Sequence, residues 1–274
     1  MIRKVAYLGP EGTFASIVAR KRYKKDAVYI PQPTVRRVVD YVCAHKASVG
    51  IVPVENSSGG IILDLVDSLN EAPQGLWVQA ELAINVRLAL LGHRGRKIET
   101  VYSHFAPLQH CDDWLLRKYP KVRRVRTETT GEAATKAAAD PHAAAIATKK
   151  SARQYGLDVL TYPIKKETPN ITQFFALGWA KPKGPAQETS LLVSLKNESG
   201  SLLKFLKPFA DEGLNLKRIV SRNILGQPNT YIFFVGVEAA QSHPGMRRAL
   251  AAAKKSAARF RVLGSYAVEK AYES

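Results

Sequence analysis

The chain has 274 residues, 46% of them hydrophobic, and a formal net charge of +18. That length and composition describe a globular protein with room for more than one domain and exclude a disordered chain. No apolar run reaches the roughly 20 residues of a membrane-spanning helix, and Met1-Ile2-Arg3-Lys4-Val5 leads into a strand-like segment with no signal-peptide core. A cytoplasmic protein with no membrane partner is therefore expected. The basic residues are dispersed, with local clusters at Arg20-Lys21-Arg22 and Arg123-Arg124, and no aromatics line a basic strand. This reads as a solvated basic surface rather than a nucleic-acid interface.

In chain order, KVAYLG (4–9) is strand-like, and a helix follows with Phe14, Ile17 and Val18 on one face. SVGIVPVE (48–55) is a second strand, ending in NSSGG and leading to a helix through Leu63, Val66 and Leu69. WVQAELAINVRLALLG (77–92) is extended, and TVYS (100–103) is a strand before a helix through Leu108, Cys111 and Leu115. VRRVRTE leads to a helix with a Thr129-x-x-Glu132 capping box. AAAIA (143–147) is a buried strand, and Thr148 caps a helix that ends at Gly156. DVLTYPI and FFAL (174–177) complete an alternation that predicts an α/β architecture with mostly parallel strands.

WAKPKGPAQE (179–188) reads as a linker. Beyond it the order becomes strand 189–195, helix 200–213, strand 215–223, turn GQPN, strand 230–238, helix 243–258 and strand 259–267. That β-α-β-β-α-β order is ferredoxin-like. Cys43 and Cys111 both fall in helical patterns, which suits a reducing compartment.

Ligands of an open α/β sheet sit beyond the carboxyl ends of its strands. Here those ends carry Gly9-Pro10-Glu11-Gly12-Thr13, Glu55-Asn56-Ser57-Ser58-Gly59-Gly60, Ser103-His104 and Thr129-Thr130-Gly131, while Asn170-Ile171-Thr172-Gln173 precedes its strand. Hydroxyls, amides and helix N-termini together suit a small, oxygen-rich anion, although each such residue is also an ordinary cap. His104 and His110 are badly spaced for a shared metal, so no metal site is expected. GPEGTF has neither the lysine of a Walker loop nor the glycines of a dinucleotide fingerprint.

Taken in order, YLGPEGTF (7–14), GIVPVENSSGG (50–60), VYSH (101–104), YGLDVL (155–160) and NITQF (170–174) resemble the successive motifs of prephenate dehydratases. TSLLVSLKNESGSLLKFLKPFADEGLNL (189–216) and TYIFFVGVE (230–238) resemble the ACT regulatory domain attached to that family. The resemblance implies a two-lobed, periplasmic-binding-protein-like catalytic domain over 1–180, with lobe 1 at about 1–77 and 161–180 and lobe 2 at about 78–160, and an ACT domain over 188–270. It implies conversion of prephenate to phenylpyruvate, water and CO2, with arogenate dehydration, non-aromatising decarboxylation and non-catalytic carboxylate sensing as alternatives. Thr172 is the implied catalytic residue, Asn56, Ser57, Ser103, Thr129, Thr130, Asn170 and Gln173 the implied substrate contacts, and Glu55 an orienting residue. L-Phenylalanine is the implied effector, at Gly200, Ser201, Leu202, Ser221 and Arg222, in a homodimer or homotetramer. Four departures stand out: Gln173 replaces the family arginine, SHFAPLQHC (103–111) lacks the family's usual Pro-Gln after Ser-His, Gly131 replaces a usual alanine, and Val220 the glutamate of the effector motif.

Overall fold

A computed structural model describes residues 3–164, 169–224, 226–227 and 230–273. Pro228 and Asn229 of the expected GQPN turn lie outside the described residues. The chain opens with β1 (Arg3–Leu8), α1 (Phe14–Tyr23), β2 (Ala27–Gln32), α2 (Val35–Ala44), β3 (Val49–Asn56), β4 (Gly60–Ile61), α3 (Leu63–Glu71) and β5 (Trp77–Asn85). It crosses into a second lobe made of β6 (Leu88–Gly92), β7 (Thr100–Ser103), α4 (Phe105–His110), α5 (Asp112–Lys118), β8 (Arg123–Arg126), α6 (Thr130–Ala138), β9 (Ala143–Thr148), α7 (Lys149–Tyr155) and β10 (Asp158–Thr161). It returns as β11 (Ile171–Gly178). The remainder is β12 (Glu188–Leu195), α8 (Ser201–Asp211), β13 (Leu216–Asn223), β14 (Tyr231–Val237), α9 (Pro244–Ser256), β15 (Ala257–Val268) and β16 (Tyr272–Glu273).

The second lobe has its own sheet, ordered β10-β6-β9-β7-β8. The two crossings between lobes lie side by side, tied by the Val86 N–H to Asn170 O at 2.7 Å and the Ile164 N–H to Leu88 O at 2.8 Å. β5 pairs along its length with β11, so it belongs to the first lobe. The second lobe therefore starts near residue 88, not 78. Both sheets are mixed rather than mostly parallel. In the first, β2-β1-β3 are parallel and β11 and β5 run antiparallel. In the second, only β7 with β8 and β9 is parallel. The returning strand inserts between β3 and β5, which periodicity along the chain does not encode. The helix expected through Leu108 to Leu115 is divided at Cys111 into α4 and α5.

The C-terminal βαββαβ unit has strand order β13-β14-β12-β15, the ferredoxin-like arrangement. One face of its sheet carries α8 and α9 over Phe205, Phe209, Met246 and Ala249. The other face, with Leu192, Ile232, Phe234 and Tyr266, shares one core with the Val35-Val38-Val39-Val42 stripe of α2 and with Leu65 and Leu69 of α3. The i, i+3, i+4, i+7 spacing of those valines gives α2 its apolar stripe. β15 then pairs with β5, so the first-lobe and C-terminal sheets join into eleven strands.

Candidate active site

Side chains alternate along β11, so neighbours Thr172 and Gln173 face opposite sides of the sheet. Thr172 shares its face with Phe174 and Ala176, toward α1, whereas Gln173 shares its face with Phe175 and Leu177, toward the C-terminal unit. Register with β3 sets Thr172 opposite Asn56 and Gln173 opposite Glu55.

On the Thr172 side, the Asn56 amide is fully engaged. Its Oδ1 accepts the Ser58 and Gly59 N–H groups at 2.9 and 3.1 Å. Its Nδ2 therefore faces the strand, donating to Thr172 Oγ1 at 2.7 Å and to Asn170 Oδ1 at 3.1 Å. Thr172 is only 8% exposed. With Oγ1 already accepting, the hydroxyl hydrogen has no acceptor among the described residues. The cluster thus presents one hydroxyl donor, polarised from behind by an amide.

The neighbouring loops bind lobe to lobe. Ser58 Oγ meets His110 Nδ1 at 2.8 Å. A Cβ on Gly59 would lie 3.4 Å from Phe105 Cζ, so this loop sits against α4. His104 caps α4, and burial lowers its pKa, so the ring is neutral at pH 7. Across the lobes, Thr148 Oγ1 donates to Gly12 O at 3.3 Å. Thr129 caps α6, accepting the Glu132 N–H at 3.0 Å, while the Glu132 carboxylate reaches Glu128 N at 2.9 Å, one residue before the box the sequence suggested. Gly131 has a local reason: a Cβ there would lie 2.7 Å from Pro10 Cγ. The missing methyl lets the 9–13 loop approach the start of α6, beside Thr129 and Thr130.

Three expected substrate contacts have other work. Ser103 is fully buried and donates to Ile146 O at 2.6 Å, tying β7 to β9. Ser57 donates to Pro169 O at 3.1 Å and accepts the Ile171 N–H at 3.0 Å, latching the start of β11. Gln173 faces away from Thr172, as strand alternation requires. Its Nε2 donates to Glu81 Oε1 at 3.0 Å, and its Oε1 accepts from Arg218 Nη2 at 2.8 Å.

Gln173 belongs to a buried charge network. Arg218 on β13 also donates from Nε to Glu55 at 2.7 Å and from Nη1 to Glu81 at 2.8 Å and Glu188 at 3.3 Å. Lys217 bridges Glu81 and Glu188. Burial works against the Arg218 charge, but the bonds to Glu81 and Glu55 outweigh it and raise its pKa. Burial pushes Glu81 toward protonation too, yet Arg218 and Lys217 hold its carboxyl below the usual value. Glu188 moves up, through burial and the Glu81 charge. Removing one partner of such a network strands a buried charge at a cost of about 3–5 kcal/mol.

The expected effector residues fall in two places. Gly200, Ser201 and Leu202 open α8, with Gly200 at φ +80°. Ser221 and Arg222 end β13, separated from β12 by β14. Arg222 is held by Asp67 of α3 through three bonds of 2.6–3.1 Å.

The prephenate dehydratase family model matches residues 5–182. The bifunctional chorismate mutase/prephenate dehydratase of Stutzerimonas stutzeri is 34% identical over 266 residues, covering 96% of this chain and 73% of that protein. The crystal structure of a prephenate dehydratase from Arthrobacter aurescens in complex with L-Phe superposes with a TM-score of 0.85 at 28% identity, over 96% of this chain and 90% of that one. The quorum-quenching acylase GqqA shares the fold, with a TM-score of 0.83 over 97% and 98% of the two chains, but at 24% identity that likeness carries no activity. The chain belongs to the prephenate dehydratase family, a family of lyases.

Proposed function

We propose that Thr172 donates its hydroxyl hydrogen to the ring hydroxyl that leaves prephenate. In the family reaction the electrons of the ring–carboxylate bond move into the ring as CO2 departs. The C–O bond breaks at the opposite ring carbon, and the departing hydroxide takes a proton to become water. A threonine hydroxyl is a weak acid, but so is water, and a donor aimed at a developing hydroxide strengthens as charge builds. The proton consumed overall comes from solvent. The carrying observation is the Asn56 Nδ2 to Thr172 Oγ1 bond of 2.7 Å, which fixes the hydroxyl as a donor. Asn170 offers to the substrate its amide hydrogens, which have no acceptor among the described residues. Thr129 and Thr130, at the start of α6, receive a carboxylate, where the helix dipole favours negative charge. Prephenate, without a metal or cofactor, is the substrate of this reading.

Asn56→Asp tests it. A carboxylate cannot donate to Thr172 Oγ1, would capture the Thr172 hydrogen for itself, and would repel a dianion. Prephenate turnover, followed as phenylpyruvate absorbance, is expected to fall about 100-fold or more. Near-normal turnover would overturn the assignment.

The same reading makes the C-terminal unit an ACT domain over 188–270 that binds L-phenylalanine through Gly200, Ser201, Leu202, Ser221 and Arg222 in a homodimer or homotetramer. What supports pairing is that β13 is the outer strand of its sheet, with Ile219 exposed, and that Leu203 of α8 is 70% exposed. Added L-phenylalanine is expected to change prephenate turnover. A rate unmoved at millimolar effector would remove regulation from the reading. Cys43 and Cys111 form no disulfide, in keeping with a cytoplasmic enzyme.

A further inference from the structure

We infer that Arg218, contributed by the C-terminal unit, is a positioning residue for Thr172, acting through Gln173 and Glu55 from the opposite face of the sheet. The inference rests on the assignment of Thr172 as the donor and goes beyond it. Asn56 and Thr172 are held by β3 and β11 at a place where their ladder is irregular. Gln173 opposes Glu55, but Phe174 opposes Pro53, so Val54 is left as an extra residue on β3. Pro53 has no N–H to give, and a bulge leaves its residue unpaired and the strand bent. The ladder is therefore interrupted on one side of the Asn56–Thr172 pair, while on the other the Ser57 N–H to Ile171 O bond of 2.9 Å closes it.

Arg218 adds a side-chain tie on the interrupted side, one residue away on each strand. A single planar guanidinium reaches Glu55 Oε2 at 2.7 Å and Gln173 Oε1 at 2.8 Å, and its side chain is 1% exposed. Its third nitrogen is anchored on Glu81 and Glu188, so the fork is held from behind. A shift at Gln173 or Glu55 becomes a shift of the Thr172 hydroxyl relative to Asn56, because each pair is joined by one peptide bond. Misplacing a catalytic group by about 1 Å costs on the order of 100-fold in rate.

The test is a charge exchange read as kcat against KM, with thermal melting to show that each variant folds. Gln173→Leu removes the bridge and leaves Arg218 on its three carboxylates. It is expected to lower kcat about tenfold with KM within about twofold. Gln173→Arg alone sets a second guanidinium against Arg218, and Arg218→Gln alone leaves Glu81 and Glu188 to Lys217 and takes from Glu55 its guanidinium. Each is expected to lower kcat further. Gln173→Arg combined with Arg218→Gln restores one guanidinium to the same network and is expected to recover kcat above either single variant. A purely structural tie would lower melting temperature without splitting kcat from KM. That result, or a double variant no better than the product of the singles, would overturn the inference. If an Arg218 variant does not fold, Gln173→Leu decides alone. Thr172→Ala, assayed alongside, separates the two readings. If it keeps wild-type turnover, the Thr172 assignment falls and the inference with it. If it loses turnover while Gln173→Leu keeps kcat, only the positioning role falls.

Discussion

Thr172→Val is expected to lower kcat for prephenate by about 100- to 1,000-fold while KM stays within a few-fold. Valine matches threonine in shape and suits a strand, so β11 keeps its place between β3 and β5. Only the hydroxyl is lost. Asn56 Nδ2 still has Asn170 Oδ1 as an acceptor at 3.1 Å, so no amide is orphaned, and the stability cost is held to about 1 kcal/mol. A 100-fold loss corresponds to about 2.7 kcal/mol of transition-state stabilisation, well above that structural cost. Thr172→Ser, which keeps the hydroxyl but frees its rotation, is expected to lie between the two proteins. Steady-state phenylpyruvate formation measures all three. A valine variant within tenfold of wild type would mean that the leaving hydroxyl finds its proton elsewhere.

How much of this was legible before the structure depends on the range of the interaction. Thr129 and Thr148 as helix caps and Gly156 as a left-handed terminator are local, set by the next three or four residues, and they stand as the sequence suggested. The βαββαβ order of the last 80 or so residues is equally local, because each strand and helix carries its own period. What the sequence could not deliver is sidedness across distant strands. The start of β11 at Ile171 places Thr172 and Gln173 inside a strand rather than before it, and alternation then sends one toward Asn56 and the other toward Arg218. Read as a loop, the same residues looked like one polar knot facing one ligand. Ser103 misled for a similar reason, since a serine at a strand end looks like a ligand contact until the next strand's carbonyl, Ile146 O, lies 2.6 Å away. Arg218 was invisible because its four partners span residues 55 to 188, a set no spacing motif covers.

Gly264→Ala is expected to destabilise the fold by about 3 kcal/mol, through backbone overpacking rather than any lost contact. Gly264 sits in β15 where pairing with β12 shifts between Ser190 and Leu191, just before the strand joins β5 at Ala267. A Cβ there would lie 2.3 Å from Val78 O and 3.2 Å from Val78 C, both main-chain atoms of β5 that cannot rotate aside. β15 must therefore move off β5, dragging Leu263 and Tyr266 from the core they share with Phe175. Tyr266 is buried, with its hydroxyl on Ser190 Oγ at 2.7 Å, so it has no exposed rotamer to retreat to. For a chain of this size, about 3 kcal/mol corresponds to roughly 6–12 °C of melting temperature. Gly236→Ala is the matched control for stability, because its Cβ would meet no main-chain atom, only the Arg218 side chain at 3.4 Å from Cβ, 3.6 Å from Cγ and 3.7 Å from Cδ. A Gly264→Ala protein melting with wild type would show that the two sheets slide freely at this joint. The effect should reach the active site as well, since Glu81 lies on the same strand as Val78 and carries both Arg218 and Gln173. A displaced β15 is therefore expected to lower kcat along with stability.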